Sequence, residues 1–432
     1  MNSPSHTHGF ASPRLAGGVV VAILFMGSTL MTPLYDLYRS FYRLSPLKLT
    51  TLYAVYVLGN LAALLWLGRL SDQRGRRPIA LIGLGLAAAG GLLFLVADAS
   101  LWLYAGRVVS GCAVGIGSGA ATAWITEAAP KSRRAQAAAV MTAFNFLGLT
   151  LGPVLAGVLV QYAPWPLRTP FILYLGLLAL AALLVMRSRE TVTRPSPARL
   201  DLKPRLGVPA NARMRFLAPA VAGFIAMAVV GFYAALGPTM IRETVGVTNR
   251  ALAGAMVAEL FAVAAAAIVF TVNLAAGPAM IAGLILTPPG LGALLLAQGA
   301  RSLPLMLAGG TLCGLAAALG YRGGLAVVND LAPPERRAET ASTYFLCCFL
   351  GNALPIVGVG ALAEAAGARA ADRALGLGLT GLAIVAVGCA LVFRQGRNPR
   401  GRSAGQARQA GFCEGGSAPH RSGHSAGSRR SL

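Results

Sequence analysis

Charge is scarce in this chain, and negative charge is scarcest. Only 12% of the 432 residues are Asp, Glu, Lys or Arg, while 56% are hydrophobic. A soluble domain carries roughly twice that share of charge, so the composition excludes one and indicates an integral membrane protein. Histidine is confined to His6, His8, His420 and His424, all near the two ends of the chain. That leaves neither a histidine metal site nor a histidine-based triad for the apolar part. The cysteines Cys112, Cys313, Cys347, Cys348, Cys389 and Cys413 show no C-x-x-C pairing, and all but Cys413 sit in apolar runs. They read as small packing residues, with no disulfide framework and no zinc site. A phosphate-cradling Walker loop is missing as well, which argues against ATP as the energy source. No enzyme signature is present, and no cofactor is expected.

The 37 Lys and Arg outnumber the 14 Asp and Glu, for a formal net charge of +23. They do not form the single basic stripe that nucleic acid would require, so no nucleic-acid partner is expected. About 26 of them lie in loops or tails on the side of the turn at residues 68–78, and about nine on the other side, the asymmetry that sets membrane topology. Arginine far exceeds lysine, which points to a GC-rich bacterial genome and hence to a bacterial inner membrane.

Apolar runs long enough to cross a bilayer number twelve. The first six are about 16–38, 49–70, 78–98, 101–126, 135–161 and 168–187. The last six are about 215–238, 250–273, 277–299, 303–330, 338–365 and 373–394. An even number puts both termini on one side, the cytoplasm. Residues 1–15 then form a cytoplasmic tail ahead of a retained first helix, because the first run lacks a small-x-small cleavage site. The stretch 188–214, with several prolines and basic residues, separates a 16–187 bundle from a 215–394 bundle. It reads either as a segment lying on anionic lipid headgroups or as a plain connector. Residues 395–432, rich in Arg, Gly and Ser, have the composition of a disordered cytoplasmic tail.

An internal repeat supports the two bundles. The stretch from Glu127 through Pro130, Arg133, Arg134 and Ala135 recurs as Asp330, Pro333, Arg336, Arg337 and Ala338, and Gly148 matches Gly351, about 203 residues later. Parallel repeats of this kind place a site at the midplane between them.

The turn Gly68-Arg69-Leu70-Ser71-Asp72-Gln73-Arg74-Gly75-Arg76-Arg77-Pro78 is too short for its flanking helices to do anything but run antiparallel. Gly75 permits a positive φ, and Pro78 fits a first helical turn. Its arginines belong at a membrane surface, the cytoplasmic one by the charge bias of loops. The pattern resembles the signature G-x-L-x-D-R-x-G-R-R between the second and third helices of the major facilitator superfamily. Gly68, Leu70, Asp72, Gly75, Arg76 and Arg77 match it; Gln73 does not, and an arginine follows one place later at Arg74. The resemblance implies an all-α membrane protein, with twelve transmembrane helices in two six-helix bundles related by a pseudo-two-fold axis. It also implies a conformational gate of Gly68, Asp72, Arg74, Gly75, Arg76, Arg77 and Glu127. In that gate Asp72 meets the start of the eleventh span near 337–340, and one of the arginines meets Glu127. The equivalent region of the second repeat, 271–278, carries no charge.

Polar residues inside apolar runs must be paired, hydrated or functional. Glu259 lies about nine residues into the eighth span, roughly 13 Å along its axis and near mid-membrane. Its charged form is disfavoured there, which suits either a proton carrier or a structural partner of one arginine. Arg107 opens the fourth span ahead of glycines four apart, resembling a family motif implicated in proton transfer; it would tune a carboxyl such as Glu259 or bind an anionic substrate. Arg322 in the tenth span would stabilise substrate or pair with an acid such as Asp330. Asp36 faces the cavity if the first helix continues to Tyr42, and is a solvated loop acid if it does not, the reading preferred. Asn60, with Tyr53 and Tyr56, and Asn145 supply hydrogen bonds.

In the fifth span Gly148, Gly152, Pro153 and Gly157 combine a proline kink with a flat glycine surface. They resemble the family's G-x-x-x-G-P-x-x-G-G motif of exporters that exchange substrate for protons, with Ala156 replacing one glycine. The resemblance therefore implies a proton-coupled exporter of small drug-like or amphipathic compounds, acting as a monomer among membrane lipids. A proton-coupled importer of a sugar or organic acid, and a transporter-like receptor or sensor, are the alternatives.

Overall fold

A computed structural model describes residues 12–67, 70–130, 134–191, 206–246 and 248–395. A bilayer offers its interior backbone no water, so apolar runs of this length must satisfy their own N–H and C=O groups as helices. The helices are α1 (Pro13–Leu30), α2 (Tyr35–Phe41), α3 (Pro46–Leu67), α4 (Leu70–Arg74), α5 (Arg76–Leu95), α6 (Ser100–Glu127) and α7 (Arg134–Tyr162). They continue as α8 (Thr169–Met186), α9 (Arg213–Val245), α10 (Arg250–Phe270), α11 (Ala276–Ala300), α12 (Leu303–Leu331), α13 (Arg337–Ala366) and α14 (Ala368–Gln395). Among the described residues there are 12 stretches long and apolar enough to span a membrane, with α1 and α2 sharing the first. Each lies within a few residues of its expected run.

Two local features depart from the sequence reading. The first span is broken: a 3-10 turn, Thr32–Leu34, separates α1 from α2, where Pro33 withholds a backbone donor. The arginine-rich turn contains a helix of its own, α4, which Gly75 ends at φ 99° before α5 begins at Arg76. Elsewhere the ends follow side-chain chemistry. Ser12 and Asn249 accept hydrogen bonds from the N–H groups of Leu15 (3.2 Å) and Leu252 (3.1 Å), capping α1 and α10.

Glycine sets how closely the helices approach. A Cβ on Gly83 of α5 would stand 2.6 Å from the Gly117 Cα of α6, and one on Gly283 of α11 would stand 2.7 Å from the Gly320 Cα of α12. Small residues of this kind let backbones touch where lipid gives no hydrophobic drive to associate. The pairing recurs at other places. Gly148 of α7 lies on Ala22 of α1, and Gly351 of α13 lies on Phe224 of α9. Gly157 of α7 lies on the Arg250 carbonyl of α10, and Gly360 of α13 lies on the Pro46 carbonyl of α3. In both pairs the second glycine follows the first by about 203 residues, the spacing of the sequence repeat.

Helix α7 is thus held between α1 and α10, and α13 between α9 and α3. These two helices join the first six spans to the last six. Met1–Cys389 forms one compact unit; Ala390–Leu432 is a second, of which only the end of α14 is described.

Candidate functional site

Arg107 stands eight residues into α6 and is 1% exposed. Its guanidinium lies over three rings, 4.5 Å from the centroid of Tyr56, 5.7 Å from Tyr53 and 5.8 Å from Tyr35. Nε donates to the Leu52 carbonyl at 3.4 Å and Nη1 to the Ser28 carbonyl at 3.2 Å. The cationic group is therefore held by ring faces and carbonyls of α1 and α3, and no carboxylate pairs with it among the described residues.

Glu259 lies midway along α10 and is half-buried. The Thr311 hydroxyl of α12 donates to its Oε1 at 2.6 Å. A Cβ placed on Gly310 would sit 2.8 Å from the Tyr233 hydroxyl and 3.3 Å from Glu259 Oε2, so Gly310 leaves room for these two groups beside it. Glu259 makes no ion pair among the described residues. Its described partners come from α12, whereas those of Arg107 come from α1, α2 and α3, so the structure does not bring these two residues together as the sequence reading expected.

Asp36 requires a correction. It is no solvated loop acid: it is 8% exposed on α2, and its Oδ2 meets Arg242 Nη1, near the end of α9, at 2.6 Å. The break at Pro33 turns α2 toward α9 and buries the acid there. Nearby, the Ser45 hydroxyl donates to Glu364 Oε2 at 3.1 Å, and the Arg250 N–H donates to Gln161 Oε1 at 2.9 Å. All three links join the first half of the chain to the second, at the end of the molecule away from the arginine-rich turn. Deeper in, the Tyr53 hydroxyl donates to Asn352 Oδ1 at 2.9 Å, tying α3 to α13.

The fifth-span residues divide between two neighbours. Gly148 and Gly152 rest on α1, while Pro153 and Gly157 rest on α10 around Gly254. Pro153 has no N–H for the carbonyl of Leu149, four residues earlier. The Thr29 hydroxyl of α1 donates to that carbonyl at 3.2 Å.

At the arginine-rich turn, Arg76 is 7% exposed and grips Glu127 at the end of α6, with Nη2 to Oε1 at 2.6 Å and Nε to Oε2 at 3.2 Å. Its Nη1 donates to the Ser71 hydroxyl at 2.6 Å. Sequence reasoning missed Glu190, which lies just beyond α8. Its carboxylate accepts from the backbone N–H groups of Arg76 (3.1 Å) and Arg77 (2.8 Å), the free donors at the start of α5. An acid close after the sixth span was the available signal. Arg77 Nη2 also donates to the Met186 carbonyl at 2.5 Å, and Arg74 is exposed. Gly68 and the Asp72 side chain lie outside the described residues, as therefore does the expected contact of Asp72 with α13.

Arg322 does not pair with Asp330 among the described residues. Its Nη2 donates to the Leu274 carbonyl at 3.0 Å, in the turn that follows α10. That turn is the uncharged counterpart of the arginine-rich one. Asn60 is buried beside α6 with Oδ1 unpartnered among the described residues, Tyr56 lies beneath Arg107, and Asn145 is half-buried.

A family model described as Major Facilitator Superfamily matches residues 17–278. The chain belongs to the major facilitator superfamily. Members of this superfamily move small molecules across membranes. Multidrug resistance protein MdtL of Escherichia coli O139:H28 is 26% identical over 203 residues, covering 47% of this chain and 51% of MdtL. The Shigella flexneri MdtL matches equally. The chain thus spans about half the length of these curated relatives. Among solved structures, a bacterial homologue of the human lysosomal transporter Spinster, in an inward-facing and occupied conformation, has a TM-score of 0.69 at 17% identity, covering 88% of this chain and 96% of that one. The nucleoside transporter NupG has a TM-score of 0.69 at 13% identity, covering 88% and 99%. The human organic anion transporter MFSD10 has 0.62 at 19%, covering 87% and 98%. At these identities the likeness is one of fold.

Proposed function

We propose that this transporter is a proton-coupled exporter of amphipathic, drug-like compounds in a bacterial cytoplasmic membrane. The observation that carries the reading is Glu259: a half-buried carboxylate midway along a spanning helix, hydrogen-bonded by a hydroxyl and pairing with no cation among the described residues. A carboxylate engaged by arginine stays charged; one that answers only to a hydroxyl in an apolar span can take up and release a proton. The similarity to MdtL and the fifth-span motif support the direction and the substrate class.

In this account two six-helix bundles, 16–187 and 215–394, rock about a central site, joined by a 188–214 linker on the inner surface and flanked by cytoplasmic tails at 1–15 and 395–432. The arginine-rich turn faces the cytoplasm by the charge bias of loops. The links Asp36–Arg242, Ser45–Glu364 and Gln161–Arg250 then fasten the outer end, and opening outward breaks them. Glu259 loads a proton from outside and releases it inside, each transit returning the carrier for another export step. One chain suffices for the cycle.

Growth of a drug-sensitive bacterial host with and without the protein, across a panel of lipophilic cations, dyes and antibiotics, tests the reading. Raised tolerance to a subset of the panel, lost when a protonophore collapses the proton gradient, is the expected result. Unchanged tolerance throughout, with the host instead accumulating a sugar or organic acid, contradicts it.

A further inference from the structure

The donors around Arg107 are not all used. A guanidinium has five N–H groups and cannot shed its proton inside a protein. Here Nε and Nη1 reach carbonyls, while Nη2 is buried without an acceptor among the described residues. Of the four tyrosines nearby, Tyr53 donates to Asn352 and Tyr56 hydrogen-bonds Ser28. The other two, Tyr35 and Tyr38, are each 1% exposed, and both hydroxyls lack a partner among the described residues.

These two stand three apart on α2, so they share one face of that helix. The Tyr35 ring centroid lies 5.8 Å from the Arg107 Cζ, and Tyr38 follows Tyr35 one helical turn later. A fixed positive charge and three unpartnered donor groups are therefore buried in one neighbourhood, Arg107 against Tyr35 and Tyr35 one turn from Tyr38. Cation–π contact with the three rings offsets part of the cost of burying that charge, but ring faces supply no acceptor for Nη2. Asp36, next to Tyr35 in sequence, points elsewhere on α2 and is engaged by Arg242 through Oδ2.

We propose that Arg107, Tyr35 and Tyr38 bind a small monovalent anion of the halide class. One such ion accepts from Nη2 and both hydroxyls at once and neutralises the buried charge. The enclosure selects for size. With Arg107, Tyr35 and Tyr38 each about fully buried, a drug-sized carboxylate is excluded, which leaves a small dehydrated anion as the ligand proposed. The site is separate from Glu259, whose described partners are on other helices, so it stands or falls independently of the export reading. Because α2 also carries the Asp36 link to α9, the bound ion steadies the same helix that fastens the outer end.

The test uses the purified full-length protein in detergent at constant ionic strength, with sodium chloride exchanged for sodium gluconate, whose anion is too large to enter. Chloride or bromide is expected to raise Tm saturably, as any ligand of the folded state does, while gluconate does not. Tyr35→Phe combined with Tyr38→Phe keeps both rings and removes both hydroxyls; it should weaken the halide dependence at least tenfold. Arg107→Gln should abolish it, and if that variant fails to fold, the double tyrosine variant still decides. Bromide anomalous scattering in crystals should peak beside Nη2. Superimposable chloride and gluconate melting curves for the wild type, meaning that water alone meets these donors, would overturn the proposal. So would a halide response that the double tyrosine variant retains in full.

Discussion

The Thr29 hydroxyl donates to the Leu149 carbonyl at 3.2 Å, four residues before Pro153. A proline kink leaves one helix carbonyl without its donor, and here a neighbouring helix supplies it. Thr29 is 4% exposed, so water does not replace the bond readily. Thr29→Val keeps the shape and removes the donor, and should cost about 1–3 kcal/mol, the penalty of an unsatisfied buried acceptor. Thr29→Ser, which keeps the hydroxyl, should cost less. Thermal unfolding of the two variants side by side checks this; equal melting temperatures would show that the bond contributes nothing.

The Asp36–Arg242 pair fastens α2 to α9. The Arg242 side chain is 44% exposed and the Asp36 side chain 11%, so solvent screens part of the attraction, and losing the pair should cost about 1–2 kcal/mol. In a two-state carrier that shifts the balance between outer-closed and outer-open forms by about tenfold. Ser45 and Glu364, 3.1 Å apart across the same end, provide the readout when both are replaced by cysteine. Crosslinking yield should fall in Asp36→Asn and recover when Asp36→Arg is combined with Arg242→Asp. A yield indifferent to Asp36 would remove the latch from the account.

Gly75 tests the turn. Its φ of 99° suits glycine, and a Cβ there would stand 2.8 Å from Glu190 Oε2. Gly75→Ala should therefore both strain the backbone and push the Glu190 carboxylate off the start of α5. Glu190→Ala removes the cap without straining the backbone of the turn, a loss of about 0.5–2 kcal/mol. The ordering expected in thermal melts is wild type, then Glu190→Ala, then Gly75→Ala. A Gly75→Ala protein as stable as wild type would mean that Glu190 does not hold the turn.

Gly157 and Gly360 let α7 meet α10 and α13 meet α3. A Cβ on Gly157 would lie 2.7 Å from the Arg250 carbonyl and 3.3 Å from the Gly254 Cα, both backbone atoms that cannot swing aside. Gly157→Val should separate the two helices and abolish transport, whereas Gly378→Val, at a glycine with nothing within 4 Å, should leave it intact. Transport retained by Gly157→Val would show that the close approach is dispensable.

Much of this was legible in the chain itself, and the reason is the bilayer. Long apolar runs and an arginine-rich turn are signals carried by neighbouring residues, so the twelve spans, the positive φ at Gly75 and the mid-span position of Glu259 could be read directly. Partnerships over long distance could not. Nothing local says that Glu190 caps α5, that Arg242 buries Asp36, or that Arg322 ends on the Leu274 carbonyl. Each depends on the rotation of one helix against another, and the glycines set that rotation through contacts far apart in sequence. Pro33 was visible, yet its effect, a break that redirects α2 toward α9, depended on a partner 206 residues from Asp36. Arg107 was legible as an unusual charge in an apolar span, but the ring faces around it come from two other helices, α2 and α3.

The central claim is that Glu259 couples proton movement to export. The most direct measurement is dye flux in proteoliposomes bearing an imposed pH gradient, comparing wild type with Glu259→Gln. Wild-type flux should follow the gradient and reverse with it. The variant should still exchange dye across the membrane at equal pH but show no response to the gradient. A Glu259→Gln protein whose flux remains driven by the pH difference would contradict the account.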